Sequence, residues 1–506
     1  MNFKKIDKFI NSFWIKVVII VLLSFIPVII ASKIFITKQI KEGASIEKFT
    51  NHLNQRIPNL MKDYDIAGLN ISLIKKGEIA WTKAFGYADI TKEQKMTIDT
   101  YCRVESISKS VTAWGIMKLV EQGKLDLNKP VDFYIQNWSI PESKFAEEDI
   151  TAGLLLSNTA GLPLGTIGPE ALYSPEENIP SIEEILSKEV VLIQKPGKSF
   201  HYSDTGFNLL ELLVEEVSGQ AFANYMKETI LKPIGMGRSS YTWNGEWNPS
   251  VPNGYDVDGS PVPVYTYSTK ASGNLYSTVE DIAMFVAAGM TNLSNDHNVL
   301  EQRNIEKLYQ PVVEEIPGYY GFVFDSYGFG HYIEWFANGE KAVSHGGQGT
   351  GWMSHFQSVP ETGDGIVILT NSQRSWPAFA YILSDWTAWS GFSSAGMERI
   401  IMGQKVLWFI IALLIFVILW RLWGIIEGLI TGRRRFAPGA KESRLLRMVE
   451  LVISIVLIGG VYYAVTMEYQ PLYSIFPIAS HWLFYSLFIT GVVLLFQVLF
   501  PCEQGK

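Results

Sequence analysis

Four long apolar stretches constrain this chain more than any other feature, because a hydrocarbon layer asks for roughly 20 mostly apolar residues per spanning helix. The first runs from Val17 to Ser32, uncharged throughout, and is extended by Phe13, Trp14 and Ile15 on one side and Ile34 to Ile36 on the other. The others are Val406 to Trp420, Leu451 to Met467 and Ile478 to Phe500. The second is short. It continues apolar past Arg421 towards Ile430, however, and an arginine near a helix end can snorkel to the interface. Composition agrees: 18% of residues are charged, against about 25% in ordinary soluble domains.

Basic residues give an orientation, since positively charged loops stay on the cytoplasmic side. Lys4, Lys5 and Lys8 precede the first span, and Arg433, Arg434, Arg435, Lys441, Arg444 and Arg447 fill the loop between the second and third. The turn from Glu468 to Pro477 carries no basic residue. We therefore expect a multi-pass protein of the cell membrane: residues 1–36 as cytoplasmic N-terminus and anchor, 37–400 as an extracytoplasmic domain, and 401–506 as a three-helix transmembrane domain. A cleaved signal peptide is the competing account of the first span, but Ala31-Ser32 is a poor small-x-small cleavage site. The basic loop reads first as a topology signal and second as a contact for anionic lipid. The two cysteines, Cys102 and Cys502, fall on opposite sides of the membrane in this arrangement and build no disulfide framework. A net charge of −8, with no basic patch interleaved with aromatics, argues against a nucleic-acid partner.

In the large middle segment, Ile46, Phe49, Leu53, Ile57, Leu60 and Met61 recur at three- and four-residue steps and predict an amphipathic helix from Ile46 to Tyr64. Leu69 to Ile74 and Glu78 to Phe85 read as strands joined by a glycine turn at Lys76-Gly77. Helices are expected over Ile107 to Gln122, Phe207 to Val217 and Ala221 to Leu231, the last ending before Pro233. Lys341 to Ser344, Trp352 to Val359 and Gly365 to Thr370 read as strands separated by glycine-rich turns. A helix, a hairpin, a helical middle and a closing set of strands predict an α+β fold with an antiparallel sheet and a helical subdomain.

The chemistry-bearing pattern is Ser-x-x-Lys. On a helix it puts hydroxyl and amine on one face, where a neutral lysine can take the serine proton. The pattern occurs at Ser45/Lys48, Ser72/Lys75 and Ser106/Lys109. Ser72 and Lys75 fall on a predicted strand, where positions three apart point to opposite faces, and Ser45 begins a surface helix. Only Ser106 opens a mostly apolar helix, whose N-terminus offers unpaired amides and partial positive charge to an oxyanion. The remaining histidines (His52, His201, His297, His331, His355 and His481) show no metal-ligand spacing such as H-E-x-x-H, so neither metal nor cofactor is expected.

The stretch Arg103-Val104-Glu105-Ser106-Ile107-Ser108-Lys109-Ser110 resembles the first motif of class C β-lactamases, low-molecular-mass DD-peptidases and related esterases. Tyr202-Ser203-Asp204 is similar to the second motif of that family, Tyr-x-Asn, and His345-Gly346-Gly347 to the third, Lys-Thr-Gly or His-x-Gly. Leu155 to Pro163 and Ser272 to Thr278 resemble further segments, so the likeness covers about residues 46 to 375 in order. It implies a β-lactamase/DD-peptidase-like domain in which Ser106 is the nucleophile, Lys109 and Tyr202 carry protons, and the backbone amides of Ser106 and Gln348 form the oxyanion hole. Gly346 and Gly347 would let substrate lie against the strand, and His345 would replace a cation with a group that can be neutral.

Asp204 departs from the family's asparagine, and an ionised carboxylate cannot donate to a substrate amide. Three accounts stay open: it pairs with Lys109, it receives a substrate ammonium, or it is a tolerated swap. Asn158, where many relatives have histidine, is expected to be a structural difference. The resemblance implies an acyl-enzyme serine hydrolase of small-molecule or peptide substrates, a peptidase or esterase before a β-lactamase. The architecture is also similar to D-amino-acyl peptidases that mature exported nonribosomal-peptide prodrugs. A slowly acylating penicillin sensor or transport-associated module is the non-enzymatic alternative.

Overall fold

The computed structural model describes residues 3–32, 40–145, 149–290, 299–318, 320–439, 444–467 and 471–502. Ile34 to Ile36, Lys441, His297 and the start of the Glu468–Pro477 turn lie outside them. The chain divides into two compact units, one of residues 39–400 and one of residues 1–38 with 401–506.

The larger unit is built on an eight-stranded antiparallel sheet. Its strands are β1 Gly68–Lys75, β2 Glu78–Asp89, β3 Gln94–Lys95, β4 Ser326–Tyr327, β5 Tyr332–Trp335, β6 Lys341–Gly349, β7 Trp352–Val359 and β8 Asp364–Thr370, in the order β3-β2-β1-β8-β7-β6-β5-β4. The β1–β2 hairpin turns where predicted: Lys76 and Gly77 both take positive φ, 54° and 78°, which suits a two-residue turn between right-twisted strands. β7 and β8 are buried along their whole length and β1 almost so, because helices cover both faces of the sheet. Helix Ile46–Tyr64 buries Phe49, Leu53, Ile57, Leu60 and Met61 as its spacing predicted, whereas Ile46 is exposed. It packs against helix Trp376–Ser390, with Phe49 stacked on Trp389 at 4.3 Å and Arg56 and His52 on Asp385 at 3.3 and 3.0 Å.

Several expected boundaries move. β6 runs through the glycine-rich segment to Gly349 instead of ending at Ser344. The helix expected over Ala221–Leu231 carries on through a π-turn and past Pro233 to Ile234, where Gly235 closes it in the left-handed region. Proline is tolerated there because it occupies the first turn of the last helical segment. Helix Trp376–Ser390 and the β4–β5 edge went unpredicted.

The second unit holds helices Phe3–Ser32, Arg399–Ile430, Arg444–Thr466 and Ala479–Leu499. All four are long and apolar enough to cross a membrane, and they associate the chain with one. Arg421 Nη1 donates to Glu450 Oε1 at 3.2 Å and Gln497 Oε1 at 2.9 Å on the neighbouring helices. Polar groups within an apolar helix bundle find one another because hydrocarbon offers no other partner.

Candidate active site

Ser106 stands at the N-cap of helix Ile107–Glu121, which is buried on nearly every side. The segment leading into it is pinned on both edges. Residues Cys102–Arg103 pair with Tyr276–Ser277, and Ser108 Oγ bridges from the Glu105 carbonyl (2.6 Å) to the Leu275 amide (3.1 Å). Glu105 holds a positive φ of 49°, a conformation non-glycine residues adopt only where their surroundings over-determine it. Those surroundings are Arg103 Nε at 2.8 Å and the hydroxyls of Tyr265 and Tyr267 at 3.0 and 2.8 Å, all on the Glu105 carboxylate.

Lys109, one turn on, is wholly buried. Its Nζ donates to Ser106 Oγ at 3.0 Å and to the Ser272 carbonyl at 2.8 Å, and pairs with Asp204 Oδ1 at 2.5 Å. Burial pushes the amine below its ordinary value, although Asp204 and, more weakly, Glu105 pull the other way. Tyr202 lies over the same ammonium, its ring centroid 4.9 Å from Nζ. Burial, followed by Tyr332, Asp204 and Tyr327, drives its phenol well above the ordinary value, while a hydrogen bond with Ser106 opposes them. At neutral pH the phenol therefore keeps its proton.

Tyr202 and Asp204 are placed by the start of helix Asp204–Ser218. Ser203 caps it through Gly206 N at 2.9 Å, and Asn158 Oδ1 accepts from Ser203 N at 3.1 Å. The Asn158 carbonyl also accepts from His201 N at 2.7 Å, and the residue itself sits at φ 56°. Asn158 is thus the clamp that sets the second motif, a role its position in the sequence did not signal.

β6 closes the site. β5 pairs with Lys341 to Ser344 only, so the strand edge beyond is not covered by β5. His345 is buried in the strand, Nδ1 on the Gly346 carbonyl at 2.8 Å and Nε2 3.3 Å from Tyr327 Oη. Burial, reinforced by Lys109, holds it well below its ordinary value and therefore neutral. Gln348 Oε1 accepts from Trp376 Nε1 at 2.8 Å. Both Gly346 and Gly347 also have a packing reason to lack a side chain. A Cβ on Gly346 would meet the Trp376 ring at 2.7 Å, and one on Gly347 would run into the Val104 carbonyl, Ser354 Oγ and, at 2.9 Å, Glu105 Cβ. Gly347 lets the nucleophile segment press against the strand, and Gly346 makes room for the Trp376 ring.

Ser106, Tyr202 and Asp204 thus converge on the Lys109 ammonium, with His345 and Gln348 on the adjoining strand. The other two Ser-x-x-Lys pairs do not behave this way: Ser45 caps its helix at Lys48 N, and Ser72 is buried while Lys75 reaches Asp364 at 2.6 Å. The family model described as Beta-lactamase matches residues 53–382, most of the chain. The chain belongs to the β-lactamase family. Protein flp of Staphylococcus aureus (strain MRSA252) is 26% identical over 334 residues, 64% of either chain. The putative penicillin-binding protein PbpX of Bacillus subtilis (strain 168) is 29% identical over 51% of this chain and 62% of its own. This family member therefore spans less than two thirds of the length of these curated relatives.

Among solved structures, the octameric penicillin-binding protein homologue from Pyrococcus abyssi superposes with a TM-score of 0.58 at 28% identity, over 71% of this chain and 81% of that one. A class C β-lactamase, 19% identical, gives a TM-score of 0.54 over 65% and 94% and shares the fold. The β-lactamase/penicillin-binding-protein-like fold expected from the three motifs is present, together with one N-terminal and three C-terminal apolar helices.

Proposed function

We propose that this β-lactamase-family protein is a membrane-bound serine hydrolase that opens peptide amide or ester bonds through an acyl-enzyme on Ser106, with its catalytic unit outside the cytoplasm. The observation that carries this is the Lys109 amine, stripped of water and held 3.0 Å from Ser106 Oγ at a helix N-terminus. In its neutral form Lys109 takes the Oγ proton as Oγ bonds to the substrate carbonyl carbon. The oxyanion then faces the backbone amides of Ser106 and Gln348. As the C–N or C–O bond breaks, the protonated Tyr202 phenol gives its proton to the leaving group and recovers one from Lys109. Water repeats the sequence to release the acid. Asp204 in place of an amide donor, beside a neutral His345, supports peptidase or esterase chemistry over β-lactam turnover. The orientation rests on the basic residues around the first span and between the second and third.

Covalent labelling by a fluorophosphonate tests the nucleophile. Ser106→Ala is expected to abolish it and Ser45→Ala and Ser72→Ala to leave it intact, while wild type turns over an ester promptly. Labelling of folded Ser106→Ala would refute the assignment, and an acyl-enzyme that never clears would make the protein a sensor. Reporter fusions near Gly439 and after Lys506 should read cytoplasmic and one near Gly254 external. An external signal at Gly439 would overturn the topology.

A further inference from the structure

The Lys109–Asp204 pair is lopsided. The lysine is sealed, whereas the aspartate side chain is 28% exposed. Asp204 Oδ1 is buried where it meets the ammonium, so the exposure belongs to the rest of the aspartate side chain. The other groups around Lys109 carry no comparable unmatched charge. Ser106, the Ser272 carbonyl and the rings of Tyr202 and Phe207 are uncharged contacts. Glu105 is matched by Arg103, and His345 is kept neutral by burial.

For Lys109 to accept the serine proton it must first lose its own, and Asp204 then loses its counter-ion. A cation supplied from the solvent side removes that penalty. The α-ammonium of an aminoacyl group lies two bonds from the carbonyl carbon that Ser106 attacks. Asp204 Oδ1 and Ser106 Oγ both contact the same Nζ, at 2.5 and 3.0 Å, so the two lie close enough for one substrate to reach both.

Building on the serine-hydrolase reading, we propose that Asp204 is a substrate-ammonium site, that the preferred substrates are aminoacyl esters or amides with a free α-amine, and that this amine arms Lys109. The charge balance is explicit. Substrate R–NH₃⁺ takes the place of the lysine cation beside Asp204, Lys109 releases one proton to solvent, and the resulting amine is ready for the Oγ proton. No bond to the substrate amine forms or breaks.

Two measurements on the full chain in detergent test this. In single-turnover acylation, matched α-amino and deaminated esters should differ by about 10- to 100-fold in favour of the amine, the range of one charge-assisted hydrogen bond. The acidic limb of the acylation rate at saturating substrate should lie at lower pH for the amine-bearing ester. The limb of kcat/KM, which reports the free enzyme, should coincide for the two. Asp204→Asn should abolish the preference and move both esters to the lower-pH limb.

The second measurement keeps Asp204 in place. Calorimetry of an α-amino acid amide binding to Ser106→Ala, in two buffers of different ionisation enthalpy, should show release of up to one proton, and the deaminated amide should release none. Equal rates and coincident saturating limbs, or binding without proton release, would overturn the proposal. Intact Ser106 labelling in that case would leave the hydrolase reading standing, whereas loss of labelling specificity would remove both.

Discussion

The Arg103–Glu105 and Lys109–Asp204 pairs both belong to the segment around Ser106, yet they are built differently. Arg103 and Glu105 are 1% and 2% exposed. The guanidinium donates to the Tyr265 carbonyl and the Tyr276 hydroxyl at 2.7 Å each and to Asn274 Oδ1 at 3.3 Å, and three tyrosine rings lie within 4.9 Å of it. Burial works against its charge, but Tyr276, Glu105, Tyr265 and Tyr267 outweigh it and hold the group well above its ordinary value. The second pair uses a lysine, which can lose its proton where arginine cannot, and leaves its carboxylate partly wet. Saturated and dry, the first pair holds geometry; under-shielded and titratable, the second can change charge state. Proximity to the nucleophile does not separate the two roles. Donor chemistry and solvent access do.

Removing the lysine should separate chemistry from stability most sharply. Lys109→Met is expected to slow acylation by about 10² to 10⁴, the range for a general acid–base group. Its thermal midpoint should hold, because Asp204 can be hydrated. A large fall in the midpoint would make Lys109 a structural residue like Arg103.

The converse substitution, Arg103→Met, leaves Glu105 buried without a cation, which costs about 3–5 kcal/mol. Its unfolding midpoint should drop steeply, and the double variant Arg103→Met/Glu105→Met should recover most of the loss. An unaffected single variant would break the distinction between the two pairs.

A smaller effect is expected at Gly347, where an alanine must displace the Val104–Glu105 segment for about 1–3 kcal/mol. Gly347→Ala should lower stability and acylation together; a loss of substrate affinity at unchanged stability would instead show that this glycine makes room for substrate.

The smallest concerns pH. Burial pushes His355 down to about 3 and His331 to about 4, so the unfolded chain takes up protons below about 6.5 that the folded chain refuses. Their contribution is full above that value and is lost as pH falls towards 3. Glu334, raised by burial to about 7, acts in the opposite sense, its contribution fading as pH rises from about 4.5 to 7. His355→Leu should narrow the difference in thermal midpoint between pH 7 and pH 5, and an unchanged difference would exclude this histidine as a source of acid sensitivity.

Local chemistry made much of this legible. Helix Ile46–Tyr64, the hairpin at Lys76-Gly77 and the four apolar helices follow from period, turn residues and length, each a property of adjacent residues. The same holds for selecting Ser106 over Ser45 and Ser72, since strand alternation and helix position are local. What went unread depends on distant contacts. Tyr327 and Tyr332 reach His345 from two-residue and four-residue strands too short to carry a pattern, and Trp376 meets Gln348 from a helix outside the motifs.

By itself, then, the sequence determined the four apolar helices, the α+β order of elements and the three motif segments, because each is encoded in side chains within a few positions of one another. The tertiary structure alone decided that Asp204 pairs with Lys109, that burial lowers the proton affinity of that lysine, and that Gly347 serves packing. Each depends on dielectric and on atoms brought together across about a hundred residues or more, and charge and burial act through distance in space, not along the chain.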